Sequence, residues 1–90
     1  MRIQLNPYTG RMNKARLFVR SLTAEERQAL RAGLKSADAF TLRRAQILLA
    51  SADGQGPAEI GRSVGCTAQA VRNALRAFAA DGLGCLILQL

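Results

Sequence analysis

The sequence predicts an all-α fold, a small bundle of about four helices that contains a helix-turn-helix. Apolar residues recur at spacings of three and four along the chain, and residues that cap or end helices stand at both ends of these segments. A glycine-containing turn separates the last two segments. We therefore expect one domain over residues 23–82, preceded by a basic arm and extended lead-in over residues 1–22. An apolar tail covers residues 83–90.

The first predicted helix covers residues 24 to about 35. Thr23 and Glu26 form the S/T-x-x-E capping box at its start, and Leu30 and Leu34 form its buried stripe.

A row of cations follows the same helix, since Arg27, Arg31 and Lys35 are spaced by four residues. Like charges at this spacing repel by roughly a few tenths of a kcal/mol per pair when no partner is present. The row is either a solvated face or a contact for phosphates.

The second predicted helix covers residues 39–53, with Asp38 as its N-cap and Gly54 after its end. Its second half is apolar nearly all round, which predicts the central core helix. Arg43 and Arg44 are polar exceptions that could hold backbone phosphates or keep an exposed edge hydrated.

The segment 57–78, PAEIGRSVGCTAQAVRNALRAF, predicts two short helices joined by a tight turn. Gly65 can end the first of them in the left-handed conformation, and Thr67 is a good N-cap for the second, which should cover residues 68–81. Each helix carries one apolar pair spaced by four, and the two pairs can face each other: Ile60 and Val64, Val71 and Leu75.

In a helix-turn-helix, the N-terminal residues of the second helix contact base edges in the major groove. The polar side chains at the start and on the outer face of this helix are the candidate base-reading residues: Thr67, Gln69, Arg72, Asn73 and Arg76. Each can hydrogen-bond a base or a phosphate. Two short helices with a glycine turn also occur in bundles that contact no nucleic acid, so the pattern alone leaves both interpretations open.

The composition favours a polyanionic partner, and we expect it to be double-stranded DNA. The chain has 13 Lys and Arg against 6 Asp and Glu, a net charge of +7, and a pI of about 11.1. Ribosomal and membrane-surface proteins share such a charge, so the charge favours nucleic acid without proving it. The candidate phosphate contacts are Arg43, Arg44, Arg62, Arg11, Lys14 and Arg16.

The residue types present in the chain predict that it is not an enzyme. The chain has no His, two cysteines, Cys66 and Cys85, and acids scattered over helix ends and loops. Neither a disulfide framework, a zinc finger nor a catalytic metal cluster can be assembled from them. We therefore expect no catalytic residue, no metal, no cofactor and no small-molecule substrate. No signal peptide or transmembrane segment is apparent, so we expect a cytoplasmic protein without a membrane partner.

The two ends of the chain carry different signals. The basic arm over residues 1–15 could lie in a minor groove or be solvated. In the lead-in over residues 16–22, we expect an extended segment that packs Phe18 on the helices, or a brief strand. The tail, LGCLILQL, has six apolar residues in eight. Its own core could cover it, a homodimer interface could do so, or the tail could be the abnormal end of a truncated or shifted reading frame.

From Arg16 to Leu83, the chain resembles the N-terminal DNA-binding region of mariner-like bacterial insertion-sequence transposases. The residues that carry the resemblance are RLFVRSLTAEERQAL, FTLRRAQILLASADG and PAEIGRSVGCTAQAVRNALRAFAADGL. The resemblance implies a homeodomain-like bundle that recognises the inverted repeats at the ends of its element, in a bacterial, nucleoid-associated protein. It also implies that the base-reading role belongs to Thr67, Gln69, Arg72, Asn73 and Arg76.

The chain departs from this family in two ways. The family continues into a catalytic domain with three metal-binding carboxylates, and its linker is polar where this chain has GCLILQL. We therefore expect a DNA-binding module without catalysis, whether a working protein or a transposase remnant. Two alternatives stay open: a small transcriptional regulator that dimerises through the tail on a two-fold operator, and a protein-interaction module that uses the apolar tail.

Overall fold

The computed structural model describes residues 18–86, which form four α-helices and one short 3-10 helix, with no strand among these residues. The all-α bundle predicted from the sequence is thus confirmed. α1 ends two residues before the predicted limit of Lys35, and α2 ends one residue before Asp53, which caps it. The helices are α1 Ala24–Gly33, α2 Ala39–Ala52, α3 Pro57–Val64 and α4 Ala68–Asp81, followed by the 3-10 helix Gly82–Leu86.

Side-chain caps fix the starts of the first two helices, as predicted. The Thr23 hydroxyl oxygen accepts the Glu26 backbone N–H at 3.0 Å, and the Glu26 carboxylate accepts the Thr23 backbone N–H at 3.0 Å. Asp38 accepts the Phe40 backbone N–H at 3.1 Å at the start of α2. These bonds satisfy backbone donors that have no partner inside the helix.

α2 is the central helix, since α1, α3, α4 and the 3-10 helix all pack against it. The prediction of a core helix in this position is confirmed. One apolar cluster forms the core, and every helix contributes to it: Leu30, Ala45, Ile47, Leu48, Ile60, Val71, Ala74, Leu75, Phe78 and Cys85. The two stripes predicted for α3 and α4 therefore pack into one core with α2 rather than only against each other.

The turn between α3 and α4 depends on two glycines. Gly65 has φ of 86°, the left-handed conformation that ends α3. At Gly61, the backbone of the turn comes so close that an added Cβ would lie 2.6 Å from the Cys66 carbonyl oxygen. The Gly61 carbonyl accepts the N–H groups of Gly65 at 2.8 Å and Cys66 at 2.9 Å. The entry angle of α4 is therefore set by a backbone contact.

The lead-in is extended from residue 18 to the start of α1 and forms no strand there. The Val19 backbone N–H donates to the hydroxyl of Ser51, a buried residue of α2, at 2.8 Å. Val19 and Leu22 pack against the core, whereas Phe18 is 39% exposed at the rim of a groove that Leu75 also lines. Val19 and Leu22 thus anchor the lead-in on the core, and Phe18 lines a groove beside α4.

The described part of the tail docks on its own core, which was one of the three predicted explanations. Cys85 is 4% exposed. The Thr41 hydroxyl donates to the Leu86 carbonyl at 2.7 Å, and Arg44 donates to the Cys85 carbonyl at 3.3 Å. The 3-10 helix Gly82–Leu86 is therefore held by α2 through side chains from two of its turns. The predictions for residues 1–17 and 87–90 lie outside the described residues.

Candidate nucleic-acid interface

α4 is fixed in the fold by its inner face. Val71, Ala74, Leu75 and Phe78 are all at most 3% exposed and face α2 and α3. Residues at spacings of three and four share one side of a helix, so the opposite side of α4 is directed to solvent. The outer face is thus defined by core packing and not by the polar residues themselves.

A row of three polar side chains, which we call the reading row, lies on this outer face. Gln69, Asn73 and Arg76 are exposed and spaced at i, i+4 and i+7. The Gln69 side-chain amide N–H donates to the Asn73 side-chain carbonyl at 3.0 Å. The pair leaves the Gln69 carbonyl as a free acceptor and the Asn73 amide N–H₂ as a free donor. Gln69 also keeps its second amide N–H, so the pair can both donate to and accept from a base edge.

Two further predicted base-reading residues differ in their availability. Arg72 lies at the flank of the outer face and is half-buried. The Thr67 hydroxyl oxygen accepts the Ala70 backbone N–H at 3.0 Å, so this oxygen caps α4. Its hydroxyl hydrogen remains available to donate. The structure brings all five candidates onto α4 and its cap, with the row of Gln69, Asn73 and Arg76 the most accessible.

The predicted phosphate contacts lie in different surroundings. Arg43 is exposed at a groove of about 320 Å³ between α2 and the N-terminal half of α4, which contributes Ala70 and Ala74. Arg62 is exposed on α3. Arg11, Lys14 and Arg16 lie outside the described residues. Arg44 lines the same groove but is half-buried, so Arg43 is the exposed candidate beside α4.

Arg44 has intramolecular partners instead. Its guanidinium lies 4.6 Å from the centroid of the Phe40 ring and also donates to the Cys85 carbonyl. Its assignment as a phosphate contact stays a prediction, and the structure adds a role in holding the 3-10 helix on α2.

Within residues 18–86, the one ion pair joins the lead-in to α1. Arg20 contacts the Glu26 carboxylate through two hydrogen bonds of 2.8 and 2.7 Å. These bonds, followed by the Thr23 backbone N–H, lower the pKa of Glu26 to about 2. Within the described part of the chain, no ion pair involves Arg43, Arg62, Arg72 or Arg76, so their charge is available to a polyanion.

Two contacts of α4 side chains were not predicted from the sequence. Arg20 stacks over the Phe78 ring with its guanidinium 4.6 Å from the centroid, a contact between distant residues for which the sequence offers no local signal. The bond between Gln69 and Asn73 could have been predicted, because side chains four apart on a helix are neighbours.

No group of three or more His, Cys, Asp or Glu that could hold a metal is found in residues 18–86. Cys66 and Cys85 are both free thiols, and burial raises the pKa of Cys85. Over the same residues, no helix has the length and apolar character that crossing a membrane requires.

Comparison with known families decides the class of this helical domain. A family model for the homeodomain-like domain matches residues 38–87, more than half of the chain. The chain belongs to the homeodomain-like domain family. The matched part contains α2, the α3–α4 helix-turn-helix and the 3-10 helix, whereas α1 precedes it. A homeodomain-like helix-turn-helix domain indicates DNA binding. No match to the chain was found among curated proteins or among solved structures.

Proposed function

We propose that the chain binds double-stranded DNA sequence-specifically, with α4 as the recognition helix in the major groove. The observation that carries this proposal is the exposed row of Gln69, Asn73 and Arg76 on the outer face of α4, within the homeodomain-like domain. This part of the helix-turn-helix is the one that faces base edges in known complexes.

The chemistry of the row suits base reading. An Asn or Gln amide pairs with adenine through one donor and one acceptor, and Arg pairs with the two acceptors of guanine. The 3.0 Å bond between Gln69 and Asn73 orients both amides before DNA arrives. Less side-chain freedom is then lost on binding, which favours affinity.

Phosphate contacts would set the orientation of α4 without reading sequence. Arg43 is suited to this role because it is exposed at the groove beside the N-terminal half of α4. Arg62 on α3 is the second exposed candidate.

The proposed target is the end of a bacterial insertion sequence, and the proposed activity is recognition without catalysis by these 90 residues. The resemblance of three sequence blocks to mariner-like transposases supports this target. The alternative of a regulator that dimerises through the tail is less well supported, because Cys85 and Leu86 of that tail are engaged with α2.

The experiment that tests the proposal is selection of binding sites from random duplexes, followed by fluorescence-anisotropy titration of the selected site across a salt series. Asn73→Ala should cost about 1–3 kcal/mol on the selected site and relax the preference at one position. A double-mutant cycle with Gln69→Ala should show a coupling of roughly 0.5 kcal/mol or more, because the two amides act together.

Arg43→Gln is the matched control variant for this experiment. It should weaken binding to every sequence alike and reduce the salt slope by about one unit. Failure to enrich any motif would contradict the proposal, as would equal losses on all sequences for Asn73→Ala and Arg43→Gln. A motif that matches the ends of insertion sequences would support the proposed target.

A further inference from the structure

A second basic surface lies on α1, outside the part of the chain that the homeodomain-like family covers. Arg27, Arg31 and Lys35, which we call the α1 ridge, line a groove of about 760 Å³ between α1 and α2. Asp53 is the one acid among the lining residues of this groove. None of the three cations makes an ion pair within residues 18–86. The ridge therefore carries charge that nothing in the described fold neutralises.

The α1 ridge and the groove between α2 and α4 lie on opposite sides of α2. Ala45 faces α1, since an added Cβ on Gly33 of α1 would lie 3.0 Å from the Ala45 Cβ. Ile47 instead lines the groove that α2 shares with α4. Two residues along an α-helix correspond to about 200° of rotation, so these positions point roughly 160° apart. α2 thus lies between the ridge and the groove that borders α4, and Arg20, which pairs with Glu26 and stacks over Phe78, is the side chain that links α1 to α4.

This separation limits what the ridge can do for DNA bound at α4. Each helix with its side chains is about 10 Å across, so α2 alone keeps the ridge more than about 10 Å from the groove that borders α4. The Debye length is about 8 Å at physiological ionic strength, which screens charges at such a distance. The ridge therefore contributes little to affinity for a duplex held by α4.

We propose that the α1 ridge binds the phosphate backbone of a second DNA duplex, so that one chain joins two DNA segments. The proposal rests on the proposed function, because α4 holds the first duplex. The ridge consists of three cations, with Gln28 as the one amide that lines the same groove, and a row of cations suits phosphates rather than base edges. Arg27 and Arg31 lie about 6 Å apart along α1 and Lys35 follows in the turn after it, so the ridge can contact about three phosphates.

Charge complementarity and geometry favour DNA as the occupant. A first duplex bound at α4 keeps other segments of the same long polyanion close, which raises their effective concentration at the ridge. Contacts with three phosphates predict a slope of about −2.7 for log affinity against log salt, and a loss of about 40-fold between 50 and 200 mM salt.

The test uses the full chain and two duplexes. The first carries the selected site and is immobilised, and the second is a fluorescent duplex of unrelated sequence added after the protein. We expect retention of the second duplex to fall steeply with salt. Arg27→Gln, Arg31→Gln and Lys35→Gln combined should remove this retention and leave affinity for the selected site within about two-fold. Gln is a good helix former, so α1 should persist, as circular dichroism can verify.

Arg43→Gln is the opposite control, since it should weaken the first duplex and spare retention of the second per bound chain. Sedimentation of the complex with the first duplex, at one chain per site, would show that bridging needs no protein dimer.

Two outcomes overturn the inference and leave the proposed function intact: no retention of the second duplex by a chain that binds the selected site, and equal retention by the triple variant. Retention of polyglutamate in place of the second duplex would assign the ridge to an acidic polypeptide and would also overturn it. Absence of any selected site would overturn both proposals.

Discussion

α1 and α4 are two helices with basic outer faces in the same small domain, and they differ in the side chains that accompany the charge. On α4, Gln69 and Asn73 form a hydrogen-bonded pair in one row with Arg76, whereas Gln28 is the one amide in the groove of the α1 ridge. Cations attract any phosphate, but amides in fixed orientation distinguish one base from another. The comparison teaches that basic charge locates a candidate surface and that the neighbouring neutral polar groups decide whether it can read sequence.

The two helices also differ in how they are held. α4 buries four residues in the core and its entry is fixed by the Gly61 contact, whereas α1 buries Leu30 and Gly33. A reading surface must be held to within a fraction of an ångström, and a surface that contacts phosphates tolerates more displacement. The denser packing of α4 is the one expected for a recognition helix.

The largest expected effect comes from the inner face of α4. Phe78→Ala should lower the free energy of unfolding by about 3–5 kcal/mol, because it removes a fully buried ring from the core. Leu34→Ala, at a 42% exposed residue that follows α1, should cost about 1 kcal/mol or less. Urea unfolding of both variants measures the difference. Similar losses for the two would mean that α1 and α4 are anchored equally, against the comparison above.

The two glycines at helix contacts give the next largest effect. An added Cβ at Gly61 meets the Cys66 backbone carbonyl at 2.6 Å, and at Gly33 it meets the Ala45 Cβ at 3.0 Å. Gly61→Ala should therefore cost about 2 kcal/mol or more, since backbone must move. Gly33→Ala should cost about 1 kcal/mol or less, because the higher helix propensity of Ala offsets part of the crowding.

The two glycine variants should also differ in their affinity for DNA. If α4 is the recognition helix, Gly61→Ala should weaken the selected site beyond its effect on stability, and Gly33→Ala should leave that affinity unchanged. Anisotropy titration at a temperature where both variants are folded gives the comparison. Unchanged affinity in folded Gly61→Ala would show that the angle of α4 does not matter for binding.

Much of the fold could be predicted from the sequence because its determinants are local. Thr23, Asp38 and Thr67 cap the helices that they were predicted to cap, and Gly65 ends α3. Each of these signals acts within a few residues. The anchoring of Val19 by Ser51, by contrast, joins residues 32 positions apart, and no local pattern encodes such a contact.

The candidate site was predictable to a smaller extent. Helical spacing places Gln69, Asn73 and Arg76 on one face of α4. The same spacing makes Gln69 and Asn73 neighbours, so the hydrogen bond between their amides could also have been predicted. Spacing could not distinguish Arg43 from Arg44, which are neighbours in sequence. Both line the groove beside α4, but Arg44 donates to the packed 3-10 helix whereas Arg43 is exposed.

The smallest expected effect concerns the ion pair that joins the lead-in to α1. The pKa of Glu26 is lowered from its ordinary value of about 4.5 to about 2, chiefly by the Arg20 hydrogen bonds. A lowered folded-state pKa means that the carboxylate stabilises the fold above the unfolded pKa, and this contribution is lost as the pH falls through about 2. Glu26→Gln should therefore lower Tm at pH 7, and the difference from the parent chain should shrink below pH 4.5 and vanish near pH 2. Thermal unfolding across this pH range measures it, with Glu25→Gln as the control at an exposed neighbour that makes no ion pair within residues 18–86.

Because the Arg20 guanidinium also stacks over Phe78, the same variant tests whether α1 is linked to α4 through this side chain. A Tm difference that does not change with pH would show that Glu26 acts through its neutral cap contact with Thr23, and that the lead-in is held without the charge.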